Sequence, residues 1–166
     1  MKALVAGFGN IFFGDDAYGN EVARLLSSES WPSDVRVVDF GIRGMHVAFD
    51  MLDGYELVIF IDAVSRGGTP GTLYVIEPEA LTSTTPDAHA MELHSALAFY
   101  DGLARDLHAD KQPKIIVIGC EPESLHEGMG ISDTVAAAVL ATPPLVRKVL
   151  EQHGIGAQNY ATHQTH

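Results

Sequence analysis

The stretch Leu57-Val-Ile-Phe-Ile61, followed by Asp62, decides the fold. Five apolar residues in a row, without polar alternation, are typical of a β-strand that is covered on both faces. A second apolar run, at residues 2–6, begins the chain. Because strands of this kind occur in mostly parallel sheets, these two runs predict a parallel core whose strands are joined by helices.

Helical and strand patterns alternate around these two runs. Helices are predicted at residues 17–26, 45–52, 91–107 and 132–153, and further strands at residues 35–39, 72–77 and 114–119. The Gly-rich connection at 66–71 is too short for a helical crossover, so the strand after it is expected to run antiparallel at a sheet edge. Residues 81–88 are predicted to form a loop. Pro143 and Pro144 are expected to break or kink the last helix, because proline lacks the N–H of a helix interior.

The predicted fold is therefore an α/β three-layer sandwich. Its core is a mostly parallel, twisted, five-stranded sheet with one antiparallel edge strand and helices on both faces. A length of 166 residues suits one domain. We place this domain at residues 1–153 and predict a flexible tail at residues 154–166.

Charge and composition exclude several kinds of partner. Lys and Arg number 10 against 22 Asp and Glu, so the net charge of −12 would repel nucleic acid. No basic tract indicates a membrane surface, and no stretch reaches the ~18–20 apolar residues of a transmembrane helix. One cysteine, Cys120, and an N-terminus without a secretory pattern predict a cytoplasmic protein. No pattern predicts an oligomer, and a monomer is compatible with the sequence.

Acidic residues follow the predicted strands, at the edge where open α/β sheets bind their ligands. The acids in these positions are Asp15, Asp16, Asp39, Asp62 and Glu121, and the nearest bases are Arg43 and Arg66. One Asp before a helix is an ordinary N-cap, but two in tandem exceed what a cap requires. Clustered carboxylates repel one another unless a proton or a cation lies between them, so the pattern indicates a metal site.

Two histidines are candidates to complete such a site. His89 and His94 flank the start of the predicted helix at 91–107. Two carboxylates and one imidazole form an oxygen and nitrogen site that suits borderline divalent ions, including nickel and zinc. The other histidines lie in polar, helical or tail segments and are expected to be surface residues.

The first glycine loop allows a competing interpretation. The segment Gly7-Phe-Gly9-Asn-Ile-Phe12 begins like a dinucleotide-binding fingerprint, but Phe12 stands where the third glycine belongs. Asp15 and Asp16 open the next helix, where they would compete with a pyrophosphate for the helix N-terminus. A nucleotide-binding Rossmann-like enzyme is therefore the less favoured alternative.

A series of motifs resembles the hydrogenase maturation proteases, the endopeptidases that trim the large subunit of nickel-iron hydrogenases. The first motif is Gly7-Phe-Gly9-Asn10-Ile-Phe-Phe-Gly14-Asp15-Asp16-Ala-Tyr-Gly19. The series continues with Asp39-Phe-Gly41-Ile-Arg-Gly44, Asp62-Ala63, Pro70-Gly71-Thr72, His89, Gly119-Cys-Glu121-Pro122-Glu123 and Gly128-Met-Gly130-Ile-Ser132. The resemblance covers about residues 1–150 in order. It implies a small α/β protein with a central five-stranded sheet.

The resemblance also implies a metal-binding and catalytic triad. Its members are an acid in the first loop, an Asp after the third strand and a His before the following helix, here Asp16, Asp62 and His89. Some members of the family carry Glu in the first position, so Asp16 shortens that arm by one methylene. His89 is preferred because His89-Ala-Met-Glu-Leu93 resembles the spacing of His and Leu in the family, and His94 is the alternative ligand.

The implied substrate is a hydrogenase large-subunit precursor that already holds nickel, from which a C-terminal extension is removed. Nickel would come with the precursor, and no organic cofactor is implied. Either the metal, or a water bound to it, polarises or attacks the scissile carbonyl, or the metal only docks the substrate while a carboxylate acts as general base. Binding of the substrate backbone is assigned to Asp39, Gly41, Arg43 and Gly44. A noncatalytic, metal-dependent chaperone of the same precursor is a further alternative.

Overall fold

The structure, a computed structural model, describes residues 1–78 and 88–156, with the backbone alone for residues 88–92. The strands in this part of the chain are β1 Ala3–Phe8, β2 Val35–Gly41, β3 Leu57–Ala63, β4 Leu73–Ile76 and β5 Lys114–Cys120. The helices are α1 Tyr18–Ser27, α2 Gly44–Met51, α3 Ala88–Asp106 and α4 Asp133–Gln152, and a 3₁₀ helix spans Gly14–Ala17. None of these helices is long and apolar enough to cross a membrane.

The strands form one sheet in the order β2-β1-β3-β5-β4. Strands β2, β1, β3 and β5 are parallel, and β4 runs antiparallel to β5 at the edge. The predicted sheet with its antiparallel edge strand is therefore confirmed. All of β3 is buried, as its apolar run predicts, because β1 and β5 flank it.

Helices cover both faces of the sheet, as predicted. Along β3, Ile59 and Ile61 face a core that contains α1 and α4, whereas Val58 and Phe60 face a core that contains α2 and α3. Successive strand residues point to opposite faces, so a strand between two helical layers must be apolar at every position. This explains why the run at 57–61 has no polar alternation.

The strands extend further at their carboxyl ends than the apolar runs predict. Asp62 lies inside β3, where it pairs with Gly119, and Ala63 pairs with Cys120. Likewise, β2 includes both Asp39 and Gly41. Pairing with neighbouring strands prolongs these elements beyond their hydrophobic segments. The predicted loop at 81–88 lies outside the described residues except for Ala88, which begins α3.

The sequence predicts a break or a kink at Pro143 and Pro144. Helix α4 continues through both prolines, so the predicted break is wrong, and the kink stays a prediction. A proline in a helix interior costs about 3 kcal/mol. Burial of one valine contributes roughly 1.5–3 kcal/mol, and α4 buries several apolar side chains on both sides of the prolines. These are Val135, Ala138, Val139, Val146, Val149 and Leu150. Packing against the sheet therefore outweighs the missing backbone hydrogen bonds.

The core extends slightly past the end of α4. Ile155 is 2% exposed and belongs to the core beneath α1 and α4. The ordered chain thus includes the first residues of the predicted tail at 154–166. Residues 157–166 lie outside the described residues, so the rest of that prediction stays a prediction.

Two glycines allow α1 to lie directly on the ends of the central strands. A Cβ atom at Gly19 would overlap the carbonyl oxygens of Phe8 and Ile61, and one at Gly7 would overlap the carbonyl oxygen of Gly19. Backbone therefore meets backbone at this crossing. Because the 3₁₀ helix immediately precedes α1, the same contact carries Asp15 and Asp16 to the carboxyl edge of the sheet.

We predict that Gly19→Ala lowers the free energy of unfolding by about 3 kcal/mol, because the new methyl group has to displace backbone atoms of two strands. Gly102→Ala in α3 is the matched control, since no atom lies within 4 Å of its Cβ position. The control is expected to stabilise the protein by about 0.5–1 kcal/mol. Urea unfolding followed by circular dichroism compares the two. Similar stability of both variants would contradict the close approach.

Candidate functional site

The carboxyl ends of β1, β3 and β5 form the edge at which the predicted site residues lie. Asp62 is the penultimate residue of β3, and the 3₁₀ helix that contains Asp16 packs against the same strand. Asp16 is 2% exposed and Asp62 is 9% exposed. The fold thus places two buried acids of the predicted triad on elements that are in contact.

Backbone groups orient both carboxylates. The Asn10 N–H donates to Asp16 Oδ2 at 2.8 Å, and the Ala63 N–H donates to Asp62 Oδ1 at 2.8 Å. Hydrogen bonds to a carboxylate stabilise its charged form. Each acid is therefore held in a fixed orientation at the sheet edge, which is the preorganisation that a binding or catalytic group needs.

The helical position of the histidines differs from the sequence-based expectation. Helix α3 begins at Ala88, so His89 lies in its first turn and not before it, and His94 lies further along the same helix. Residues five apart on a helix differ by about 140° in direction, so these two histidines belong to different sides of α3. Leu93, one turn after His89, is buried in the core, whereas His94 is exposed.

No three His, Cys, Asp or Glu residues with described side chains are grouped so that they could hold a metal ion. The side chain of His89 is not among those described. The triad of Asp16, Asp62 and His89 therefore stays a prediction.

Asp15 has a different role from its neighbour Asp16. It is fully buried, and its carboxylate accepts hydrogen bonds from the Ser132 N–H at 2.7 Å, the Ser132 hydroxyl at 2.8 Å, the Glu123 N–H at 2.8 Å and the Ser124 N–H at 3.0 Å. Burial alone would raise the pKa of Asp15, but these hydrogen bonds outweigh it and lower the pKa below its usual value. Asp15 thus fastens the segment between β5 and α4 to the 3₁₀ helix.

We predict that Asp15→Asn lowers the free energy of unfolding at pH 7 by about 2–3 kcal/mol, because charged hydrogen bonds are lost and one amide donor faces other donors. A lowered pKa in the folded state stabilises the protein above the unfolded pKa and is lost as the pH falls through the folded value. Below the usual value of 3.8, the wild-type protein should therefore lose this contribution, and the variant should not. Denaturant unfolding at pH 7 and below pH 4 tests this, with the exposed Asp110→Asn as control. Equal stability of both variants at pH 7 would contradict the proposed role of Asp15.

The predicted substrate-binding segment at the end of β2 is built around Asp39. Its Oδ1 atom accepts hydrogen bonds from Asn20 Nδ2 at 2.8 Å and from the Gly41 N–H at 2.9 Å. Gly41 has a φ of +57°, which glycine adopts without strain, and no atom lies within 4 Å of its Cβ position. Asp39 therefore fixes a turn in which no atom covers the Cβ position of Gly41.

Arg43 and Gly44 follow this turn. Arg43 is exposed, and its Nε atom donates to the Phe40 carbonyl oxygen at 3.4 Å. Its guanidinium forms no ion pair with any described residue. Gly44 begins α2. The predicted substrate-binding residues thus lie in one segment, from the end of β2 to the start of α2, and their role stays a prediction.

The glycine loop after β1 does not offer a phosphate cradle. The Gly9 N–H donates to the Gly41 carbonyl oxygen at 3.0 Å, and the Asn10 N–H donates to Asp16. The Phe12 and Phe13 N–H groups donate to the side chain and backbone of Asn10. Phosphate binding at such a loop requires N–H groups that point toward the ligand. Here they are engaged within the protein, which disfavours the nucleotide-binding alternative.

Sequence reasoning identified Glu121 as one more acid at the edge but missed its surroundings. It is 5% exposed, and its carboxylate accepts hydrogen bonds from the N–H groups of Arg66 and Gly68. The sequence did indicate that Glu121 needs hydrogen-bond donors from the protein, because an acid directly after an apolar strand is partly buried and cannot be fully hydrated. The donors could not be identified, since the loop that supplies them is more than fifty residues earlier in the chain.

Fold and site together define an α/β protein with oriented carboxylates at the carboxyl edge of its sheet. The N–H groups of its first glycine loop are hydrogen-bonded within the protein. Comparison with protein families identifies the class: the family model for hydrogenase maturation proteases matches residues 21–152. The chain belongs to the hydrogenase maturation protease family, which confirms the resemblance found in its motifs and makes it a protease by family.

Individual relatives agree with this assignment. The chain is 29% identical over 161 residues to the hydrogenase 2 maturation protease of Escherichia coli K12, covering 95% of each chain. The structure of the hydrogenase maturating endopeptidase HybD from E. coli superposes with a TM-score of 0.79 at 28% identity, over 93% of this chain and 94% of that one. A hydrogenase 2 maturation peptidase from a Thaumarchaeota archaeon gives a TM-score of 0.67 at 36% identity, over 91% of this chain and 99% of that one.

Proposed function

We propose that this protease removes the C-terminal extension of a hydrogenase large-subunit precursor that already holds nickel. The observation that carries the proposal is the placement of Asp16 and Asp62, two buried and oriented carboxylates on contacting elements, in a chain of this family. Two carboxylates held at one edge attract a cation more strongly than one does. A cation carried by the substrate would therefore be held there when the correct precursor is bound.

In this proposal Asp16, Asp62 and His89 coordinate the nickel that the precursor presents. Two carboxylates and an imidazole suit nickel by their donor chemistry. Position 89 lies one helical turn before the buried Leu93, which favours it over the exposed His94 as the residue on the sheet side of α3. Nickel is part of the substrate here, and no organic cofactor is proposed.

Hydrolysis of the scissile bond also needs an activated water. A carboxylate at the edge can accept its proton as general base, while the bound cation holds the precursor in place. Asp39, Gly41, Arg43 and Gly44 bind the substrate backbone. The turn at Gly41 supports this role, because no atom lies within 4 Å of its Cβ position and the glycine itself has no side chain that would obstruct an extended peptide.

The surface beside the acids suits a protein substrate. Phe12, Phe13 and Met129 are large apolar residues that are 56%, 41% and 73% exposed. Their loops are joined, because the Gly128 N–H donates to the Phe12 carbonyl oxygen at 2.7 Å and Gly128 also bridges to Phe13. Exposed apolar groups of this kind mark protein interaction sites.

We place the reaction in the cytoplasm, where the free and buried Cys120 would stay reduced.

We predict that the protein shortens the nickel-loaded precursor and leaves the nickel-free precursor intact. Asp16→Asn and Asp62→Asn should each lower the cleavage rate by at least about a hundredfold, because each loses a charged ligand and a potential base. The exposed Asp110→Asn is the control and should cleave like the wild-type protein. Mass spectrometry of the precursor before and after incubation measures the outcome.

Three outcomes of that experiment would change the proposal. Normal cleavage by the Asp16 and Asp62 variants would remove the site assignment. Cleavage of the nickel-free precursor at the same rate would remove the role of nickel. An unchanged precursor mass together with a stable complex would instead support the noncatalytic chaperone.

The choice between the two histidines gives a separate prediction. His89→Ala should abolish cleavage of the nickel-loaded precursor, since it removes the nitrogen ligand of the proposed site. His94→Ala should retain cleavage within about twofold, because an exposed side chain contributes little to the site. Initial rates of precursor shortening compare the variants, with circular dichroism as a check of folding. The reverse pattern would assign the ligand to His94.

A further inference from the structure

The loop between β3 and β4 is wrapped around one buried acid. Because β4 lies beyond β5 in the sheet, this connection must cross over the carboxyl end of β5, where Glu121 is the next residue. Glu121 Oε2 accepts a hydrogen bond from the Arg66 N–H at 2.8 Å, and Oε1 accepts one from the Gly68 N–H at 3.0 Å. The carboxylate therefore fixes the main chain of the loop at two points.

The backbone of Glu121 reinforces this arrangement. Its carbonyl oxygen accepts from the Gly71 N–H at 2.8 Å, and its N–H donates to the Thr72 carbonyl oxygen at 2.9 Å. The Tyr74 hydroxyl donates to Glu121 Oε2 at 3.4 Å. Burial and the nearby Glu121 charge raise the pKa of Tyr74, so the hydroxyl stays protonated as a donor. One acid thus fixes the loop and the first part of β4.

This arrangement places one guanidinium group at the edge of the site. The guanidinium carbon of Arg66 lies 5.5 Å from the centroid of the Tyr74 ring, the same ring whose hydroxyl binds Glu121. A guanidinium that lies over an aromatic ring is attracted by the ring and keeps its N–H groups available to other acceptors. Arg66 is exposed, and its loop directly follows the strand that contains Asp62.

Arg66 is one of three arginines, with Arg43 and Arg105, that form no ion pair with a described side chain, whereas the other three do. Arg24, Arg36 and Arg147 each form an ion pair with a Glu or Asp side chain. Arg66 forms none with any residue whose side chain the structure describes. In a chain with 22 acidic residues against 10 basic ones, a positioned arginine without an acidic partner among the described side chains can bind an anion from outside the chain.

We infer that Arg66 binds a carboxylate of the precursor segment that enters the site, and that Glu121 is a positioning residue for Arg66. The inference rests on the proposed function, because that function makes the bound molecule a polypeptide. Arginine binds a carboxylate through two parallel N–H bonds, a geometry that lysine cannot reproduce. The carboxylate is either the C-terminus of the precursor or an Asp or Glu side chain of its extension.

The first test measures the KM and kcat of precursor cleavage, together with the Kd of the precursor. Arg66→Ala should raise KM and Kd about tenfold with kcat within about twofold, and Arg66→Lys should lie between this variant and the wild-type protein. Arg105→Ala, which removes an exposed arginine of α3, is the control and should change neither constant. Equal constants for the Arg66→Ala, Arg105→Ala and wild-type proteins would overturn the inference.

The second test asks whether the effect of Glu121 on KM depends on the presence of Arg66. Glu121→Gln places an amide donor against the N–H donors of the loop, so it should raise KM about fivefold in the wild-type background. In the Arg66→Ala background it should raise KM no further, because the group that it positions is absent. Additive effects on KM would show that Glu121 acts independently of Arg66. Urea unfolding of each variant verifies that the protein is folded.

Two altered precursors identify the source of the carboxylate. One has its C-terminus converted to an amide, and the other has the acidic side chains of its extension replaced by amides. The precursor that has lost the true ligand should bind the wild-type protein about tenfold more weakly and should no longer distinguish it from Arg66→Ala. If both precursors still distinguish them, the carboxylate assignment is wrong. Because Kd is measured without turnover, failure of this inference is separable from failure of the proposed proteolysis.

Discussion

The direct contact between the first turn of α1 and the ends of β1 and β3 is the constraint on which the rest of the structure depends. Gly7 and Gly19 remove the side chains that would otherwise separate the helix from the strands. The 3₁₀ helix before α1 is therefore held against β3, and Asp16 comes to the edge that contains Asp62. Side chains at Gly7 and Gly19 would push the helix, and Asp16 with it, away from this edge.

The four buried acids at the carboxyl edge of the sheet are of two kinds. Asp15 accepts four hydrogen bonds from the segment before α4, and Glu121 accepts three from the β3–β4 loop and Tyr74. Both charges are therefore compensated by groups of the protein itself, and both acids fasten loops. Asp16 and Asp62 are instead oriented by N–H groups of adjacent segments at the end of the sheet. The four acids of this edge thus differ in what they contact: two fasten distant loops, and two are oriented by nearby main chain.

Much of the fold followed from local sequence, whereas the roles of individual acids did not. The apolar run at 57–61 and the short connection at 66–71 predicted the central strand and the antiparallel edge, because both depend on residues close in sequence. Helix α4 passes through Pro143 and Pro144 because distant strands bury its apolar face. Asp15 and Asp16 look alike as a pair of adjacent acids, and the role of Asp15 depends on donors more than a hundred residues later in the chain, among them Ser132, 117 residues after it.

The arrangement of charge at the edge also limits what can bind there. Two exposed arginines without ion-pair partners among the described residues, Arg43 and Arg66, follow β2 and β3, the strands on either side of β1. Buried Asp16 and Asp62 lie at the same edge and favour a cation, while the arginines favour an anion or a carbonyl group. A simple ion satisfies only one of these preferences. A polypeptide that carries a metal ion at one point and a carboxylate at another would satisfy both, so the proposed substrate and the inferred contact of Arg66 require the same kind of molecule.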